Sequence, residues 1–275
     1  MTINAKAIVD CRNATVFQAG HCLGAASIPA AELAQRMHEL PKTSEPLGVY
    51  GDEQSLDTAV KFLTEKGYQV CQQWLWTPAL LECLRAQGQL ATGTHSQRLW
   101  QPAPLVASFV TEWMPAHGII PSNGLDIGCG AGRDLVYLAM HGWAMTGIDY
   151  IPAALQRVQQ LAASQHCTVT TWECDLETGQ NPFATIADGH FGLVCVARYL
   201  HRPLFPWLKR IIKPGGILIY QTFMQGAEQF GSPRNPKFLL KPGELAAEFA
   251  NANILLDDIE YLDDGRPVSA FICQL

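Results

Sequence analysis

The run Leu125-Asp126-Ile127-Gly128-Cys129-Gly130-Ala131-Gly132 constrains this chain more than any other. A short apolar stretch enters it and an amphipathic one, Arg133 to His141, leaves it, which predicts a strand, a glycine turn and a helix. Glycine lets a backbone turn tightly and approach a ligand where a side chain would collide. In a parallel sheet such a turn lies at the carboxyl ends of the strands, where ligands bind. Taken alone, the run is equally well explained by the steric demands of the turn.

The surrounding periodicity predicts a domain from about Leu105 to Leu275. Strands are expected at Gly124–Ile127, Ala144–Ile148, Thr168–Trp172, Phe191–Ala197, Gly216–Thr222, Ile254–Tyr261 and Val268–Leu275. Helices are expected at Leu105–His117, Arg133–His141, Ala153–Ala163, Leu204–Ile212 and Pro242–Ala250. A second alternation runs through residues 1–90, with strands near Ala7–Val9, Leu47–Tyr50 and Tyr68–Cys71 and helices at Ala31–Leu40 and Leu56–Lys66. Alternating strands and helices predict the α/β class in both parts. Residues 91–104 lose periodicity, are rich in Thr, Gln, Pro and Gly, and read as a linker.

Asp149 closes the second of the C-terminal strands. A carboxylate there can accept two hydrogen bonds from a ribose diol; the lesser alternative is a helix N-terminal or turn residue before Pro152. A dinucleotide site would want a third glycine at position 133, which is Arg.

With these residues in order, the segment from Leu105 resembles the class I S-adenosylmethionine-dependent methyltransferases. Leu125 to Gly132 is similar to their first motif and Asp149 to their ribose-binding acid. Cys174-Asp175-Leu176 is similar to the motif near the adenine, and Lys213-Pro214-Gly215-Gly216 to the turn before the fifth strand. The resemblance implies a Rossmann-like seven-stranded fold with S-adenosylmethionine as cofactor. The residues it implies for that cofactor are Asp126, Gly128, Cys129, Gly130, Arg133, Asp149, Tyr150, Asp175, Leu176 and Arg198. Gly132-Arg133-Asp134 and Phe238 to Leu245 resemble tellurite-resistance and thiol methyltransferases. That implies a small, soft or anionic acceptor, of the thiol or chalcogen oxyanion class.

Methyl transfer needs alignment and exclusion of water more than a general base. Arg198-Tyr199-Leu200-His201 follows the fourth strand, where the family faces the acceptor. Arg198 can hold an anion, Tyr199 can wall the pocket and His201 can take a proton; equally, Arg198 can pair with an acid, Tyr199 can be core and His201 a cap. Phe230 and Arg234, in a polar loop after the fifth strand, are candidates to close on the acceptor. Arg98 and Trp100 are candidates from the linker side, against a plain surface role for each.

The first part has its own resemblance. Val9-Asp10-Cys11-Arg12 and Gly20-His21-Cys22-Leu23-Gly24-Ala25 through Pro29 resemble the rhodanese sulfurtransferase domain. That family carries its persulfide-forming Cys after the strand matching Gly48-Val49-Tyr50, where this chain has Gly51, Asp52 and Glu53. A rhodanese-like domain without sulfur transfer is expected, serving as a docking or dimerisation module or as one wall of the acceptor pocket.

Composition narrows the partners. The net charge is −6 and only 16% of residues are charged, so a dedicated nucleic-acid surface is disfavoured. An RNA-modifying methyltransferase and a non-catalytic S-adenosylmethionine sensor remain as alternatives. The nine cysteines form no Cys-x-x-Cys pair, which predicts neither a metal site nor a redox pair. Met1 to Lys6 carries no apolar signal core and no run is long enough to span a bilayer, so a soluble cytoplasmic protein is expected.

Overall fold

The structure, a computed structural model, describes residues 5–275; the leader reading of Met1–Asn4 lies outside them. The chain divides into two units, Met1–Gln101 and Pro102–Leu275.

In the first unit, strands β1 (Ala7–Asp10), β2 (Ala25–Ser27), β3 (Leu47–Gly51) and β4 (Val70–Leu75) form a parallel sheet in the order β2-β1-β3-β4. The strands β1 and β3 are buried at every residue, as a sheet covered on both faces requires. Helix α1 (Ala14–Ala19) is capped by Asn13, whose side chain accepts from the Val16 N–H. Helix α2 (Glu53–Glu65) is capped by Asp52 in the same way, on Ser55. Thr77 caps helix α3 (Pro78–Ala86), with Pro78 at its first position. The helix expected over Ala31–Leu40 is instead two 3-10 turns, Ala30–Glu32 and Met37–Glu39. Arg36 between them bonds both Glu32 and Glu39, and Leu33 and Leu40 are buried without a continuous helix to carry them.

The expected linker also differs. Leu90–Ala91 pairs antiparallel with His21–Cys22, Ser96 Oγ accepts from the Ser27 N–H, and the Gln97 N–H donates to Ala25 O. Residues 91–101 are tied to the first unit by these bonds, and polar composition alone does not reveal such pairing.

In the second unit, Pro104–Ser108, a π turn at Phe109–Trp113 and Met114–His117 make one helical run. Seven strands follow: β5 (Asn123–Ile127), β6 (Ala144–Asp149), β7 (Thr170–Glu173), β8 (Phe191–Ala197), β9 (Ile212–Gln221), β10 (Asn253–Tyr261) and β11 (Pro267–Gln274). Their order is β7-β6-β5-β8-β9-β11-β10, with β11 antiparallel to both neighbours and the other pairings parallel. Helices α4 (Arg133–Met140), α5 (Pro152–Ser164), α6 (Phe205–Ile211) and α7 (Glu244–Glu248) accompany them. The order reverses direction at β5, whose neighbours β6 and β8 connect to opposite sides of the sheet. A crevice opens at the carboxyl end of such a switch point, and the glycine run stands there. Among the described residues no helix is long and apolar enough to cross a membrane.

Candidate functional site

The cleft begins with the turn between β5 and α4. Gly128, Gly130 and Gly132 hold φ of +68°, +54° and +82°, a region that disfavours side chains. A Cβ at Gly128 would press on the Tyr199 ring at 3.2 Å, and one at Gly132 would stand 2.8 Å from Val158. Gly130 faces open space. The turn therefore packs against Tyr199 at Gly128 and against Val158 at Gly132, and leaves the backbone at Gly130 uncovered.

Asp149, at the end of β6, secures this turn. Its carboxylate accepts from the Gly130 N–H and the Ile151 N–H, each at 2.9 Å. It still lines a cleft of about 400 Å³, within the range of small-ligand sites. Tyr150, 65% exposed, and buried Leu176 give that cleft apolar surface, with Cys174, Asp175 and Glu177 beside them. Asp175 Oδ1 accepts from the Glu177 N–H, which turns the chain after β7.

Beneath the turn lies Asp126, buried, with Asp134 and Asp149 nearby. Burial, then these two carboxylates, holds its carboxyl well above the usual range, against the help of the Leu135 N–H. Burial also raises Asp134, which accepts from the Ala103 N–H at 2.6 Å. Cys129 is an inert thiol here: burial, then Asp126 and Asp149, pushes it up.

The opposite wall is Arg198 and Tyr199, after β8. Arg198 adopts a left-handed φ of +59°, and its N–H donates to Gln221 O at 2.6 Å. A non-glycine residue pays a steric penalty there. Arg198 is exposed and lines the cleft, and its guanidinium makes no hydrogen bond with another of the described residues. Tyr199 is held as a neutral phenol, first by burial and then by Glu177 and Asp175. His201 precedes the 3-10 turn Arg202–Leu204; its Nδ1 is buried without a partner among the described residues.

The cleft thus brings together Gly128, Asp149, Tyr150, Asp175, Leu176, Arg198 and Tyr199 from the expected set. Asp126, Cys129, Gly130 and Arg133 belong to the turn beneath or beside it. Phe230 and Arg234 are exposed on the loop after β9, and His201 lies outside the cleft lining. Arg98 and Trp100 fall in the first unit, where the Arg98 guanidinium lies 5.0 Å from the buried Trp100 ring. Glu177 lines the cleft and carries no sequence signal beyond adjacency to Asp175-Leu176. Arg202 was likewise not foreseen. It bonds Glu244 at 2.5 and 3.0 Å, Lys237 O at 2.8 Å and Leu239 O at 2.9 Å, fastening the loop after β9 to the segment after β8.

In the first unit, Asp10 and Arg12 form a buried ion pair of 2.6 Å, and Arg12 also donates to Gly20 O at 2.8 Å. This joins the Asp-x-Arg to the Gly-His loop. The strand β3 passes into α2 through Asp52 alone, so no loop separates them. A Cβ at Gly51 would stand 2.6 Å from Cys11 Sγ and closer still to Ser55 Oγ. Burial pushes the Cys11 thiol up to about 12 and the Cys22 thiol to about 11.

Residues 125–216 match the family described as Methyltransferase domain. An uncharacterized protein of Schizosaccharomyces pombe is 24% identical over 97% of this chain and 92% of its own length, so the similarity runs through both units. The ubiquinone biosynthesis O-methyltransferase of Pasteurella multocida is 28% identical over 43% of this chain, which spans about half of that enzyme (52%). Among solved structures, a candidate sarcosine dimethylglycine methyltransferase of Galdieria sulphuraria superposes with a TM-score of 0.50. Its identity is 11%, over 63% of this chain and 91% of that one.

Proposed function

We propose that the second unit is a class I S-adenosylmethionine-dependent methyltransferase domain and that it methylates a small, soft or anionic acceptor such as a thiol or a chalcogen oxyanion. The observation that carries this reading is the wall opposite the glycine turn, where Arg198 opens to the cleft beside Tyr199.

The residues present suit the cofactor. Bare backbone at Gly128 and Gly130 admits its methionine part, the outer lone pairs of Asp149 suit a ribose diol, and Tyr150 and Leu176 suit a base. When bound, S-adenosylmethionine supplies a methyl group on a sulfonium, activated enough that the protein contributes chiefly alignment and exclusion of water. Tyr199 contributes as a wall and a hydrogen-bond donor, because a phenol raised above its ordinary pKa keeps its proton near neutrality. Arg198 orients an anionic group on the acceptor. His201, with its Nδ1 buried and its side chain outside the cleft lining, is not placed to take a proton there, which suits an acceptor that arrives ionised.

We read the first unit as rhodanese-like without sulfur transfer. The pairing of Asp10, Arg12 and Gly20 supports the likeness, and the filled space around Gly51 argues against a persulfide loop. A docking role for this unit is part of the same proposal.

Calorimetric titration with S-adenosylmethionine and S-adenosylhomocysteine comes first, followed by transfer assays on thiols and on selenium and tellurium oxyanions. Saturable binding with formation of S-adenosylhomocysteine on such acceptors supports the proposal. Binding without transfer across that panel leaves a cofactor sensor, and no binding overturns the reading.

A further inference from the structure

Three arginines reach the carboxyl edge of the sheet from three separate elements. Arg133 opens α4 after the glycine turn, Arg198 follows β8, and Arg266 immediately precedes the antiparallel β11. Arg198 lies within electrostatic reach of both others, as well as of Asp134 and Asp264. Those two acids are already engaged. Asp134 accepts from the Ala103 N–H, and Asp264 pairs with Arg266 at 2.8 Å. Burial and the neighbouring cations hold the Arg198 pKa below its ordinary value, so its charge is under-compensated. In a chain of net charge −6, this concentration of positive charge runs against the general balance.

The surroundings of the cluster are apolar as well as charged. The Arg266 guanidinium sits 4.6 Å from the Phe223 ring and donates to Ser232 O, which fixes it in place. Phe230, 58% exposed, packs against Gly265, where a Cβ would come within 2.9 Å of the ring. Tyr199, next to Arg198, presents its own ring on the cleft side of Gly128. An inorganic oxyanion would satisfy the guanidinium and leave these faces unused. A carboxylate on an apolar body uses both.

Resting on the methyltransferase reading above and narrowing its acceptor class from inorganic oxyanions to organic molecules such as thiols, we propose that the acceptor bears an organic carboxylate. Arg198 holds its carboxylate with support from Arg266, and Tyr199 and Phe230 enclose its apolar body. Arg198 is the specificity-determining residue: its left-handed backbone, fixed by Gln221 O, aims an unpaired planar donor into the cleft.

The test is binding of simple probes to the full chain saturated with S-adenosylhomocysteine, so that cofactor binding is established before the acceptor side is examined. Benzoate, benzamide and inorganic sulfate are titrated in parallel by calorimetry. The expected result is saturable binding of benzoate at least about tenfold tighter than of benzamide or sulfate. Arg198→Gln should abolish that preference while the variant still binds S-adenosylhomocysteine. Phe230→Ala should weaken benzoate and leave sulfate unchanged. Benzoate binding no better than benzamide overturns the assignment of the charge, and sulfate binding as well as benzoate overturns the organic class. Preference for benzoate retained in Arg198→Gln overturns the role of Arg198. Failure to bind S-adenosylhomocysteine at all would instead remove the cofactor reading beneath the proposal.

Discussion

Asp149 secures a turn while still facing the cleft. Two backbone N–H groups, from Gly130 and Ile151, already occupy part of its hydrogen-bonding capacity. Removing it therefore frees a glycine turn as well as deleting the proposed ribose acceptor. Asp149→Ala is expected to weaken S-adenosylhomocysteine binding by at least about tenfold, roughly 1.4 kcal/mol, the scale of one charge-assisted bond. Unchanged affinity by calorimetry would remove the ribose assignment. Asp126 carries a different cost. Its folded carboxyl lies above the unfolded value of about 3.9, so its contribution to stability is complete only below that value. The contribution is lost as pH rises through the raised folded value. Asp126→Asn should accordingly show a flatter fall of thermal stability as pH rises above about 4 than the parent chain, with weaker cofactor binding. A parallel fall in both proteins would mean that other groups govern that pH range.

At the scale of elements, the junctions between strand and helix differ between the two units. After β5 the chain spends three glycines on an open cradle, whereas after β3 it turns into α2 through a single capping residue. Gly51→Cys is therefore expected to destabilise the first unit by about 1–3 kcal/mol through overpacking against Cys11 and Ser55. It should yield no persulfide with thiosulfate; a labelled persulfide at residue 51 would show that the junction opens. Behind the cofactor turn, Gly147 in β6 plays a similar part. A Cβ there would stand 2.8 Å from Cys129 Sγ, and Leu135 is closer still. Gly147→Val should lower the melting temperature and weaken cofactor binding together, because the strand cannot accept bulk without moving the glycine turn. Normal cofactor affinity in a destabilised variant would separate the two effects.

For the molecule as a whole, a ligand that binds only the folded state adds stability by mass action. S-adenosylhomocysteine at a hundred times its dissociation constant should contribute about 2.7 kcal/mol, visible as a concentration-dependent rise in the melting temperature. A melting temperature that ignores the ligand would mean that the second unit does not bind it.

Much of the second unit could be read along the chain because the relevant signals are local. The strand, glycine turn and helix around residue 128 and the acid closing β6 are each set by a few neighbouring residues, whereas Lys213-Pro214-Gly215-Gly216, expected as a turn, falls within β9. The Asn13 and Thr77 caps are equally local, yet the helices they open span only six and nine residues, too short for a clear periodic signal. Local pattern also misled: Leu33, Met37 and Leu40 have helical spacing, yet Arg36 and its two glutamates hold a pair of 3-10 turns.

The sequence by itself determined the element order of the second unit, the α/β class and where the glycine turn would lie, since periodicity and glycine conformation act over a few residues. Tertiary structure alone decided which distant groups meet. It attached residues 91–101 to the first unit, closed the space around Gly51, and brought Arg266 to Arg198 by inserting β11 antiparallel beside β9. Such meetings depend on strand pairing between residues far apart in the chain, and no short-range pattern encodes them.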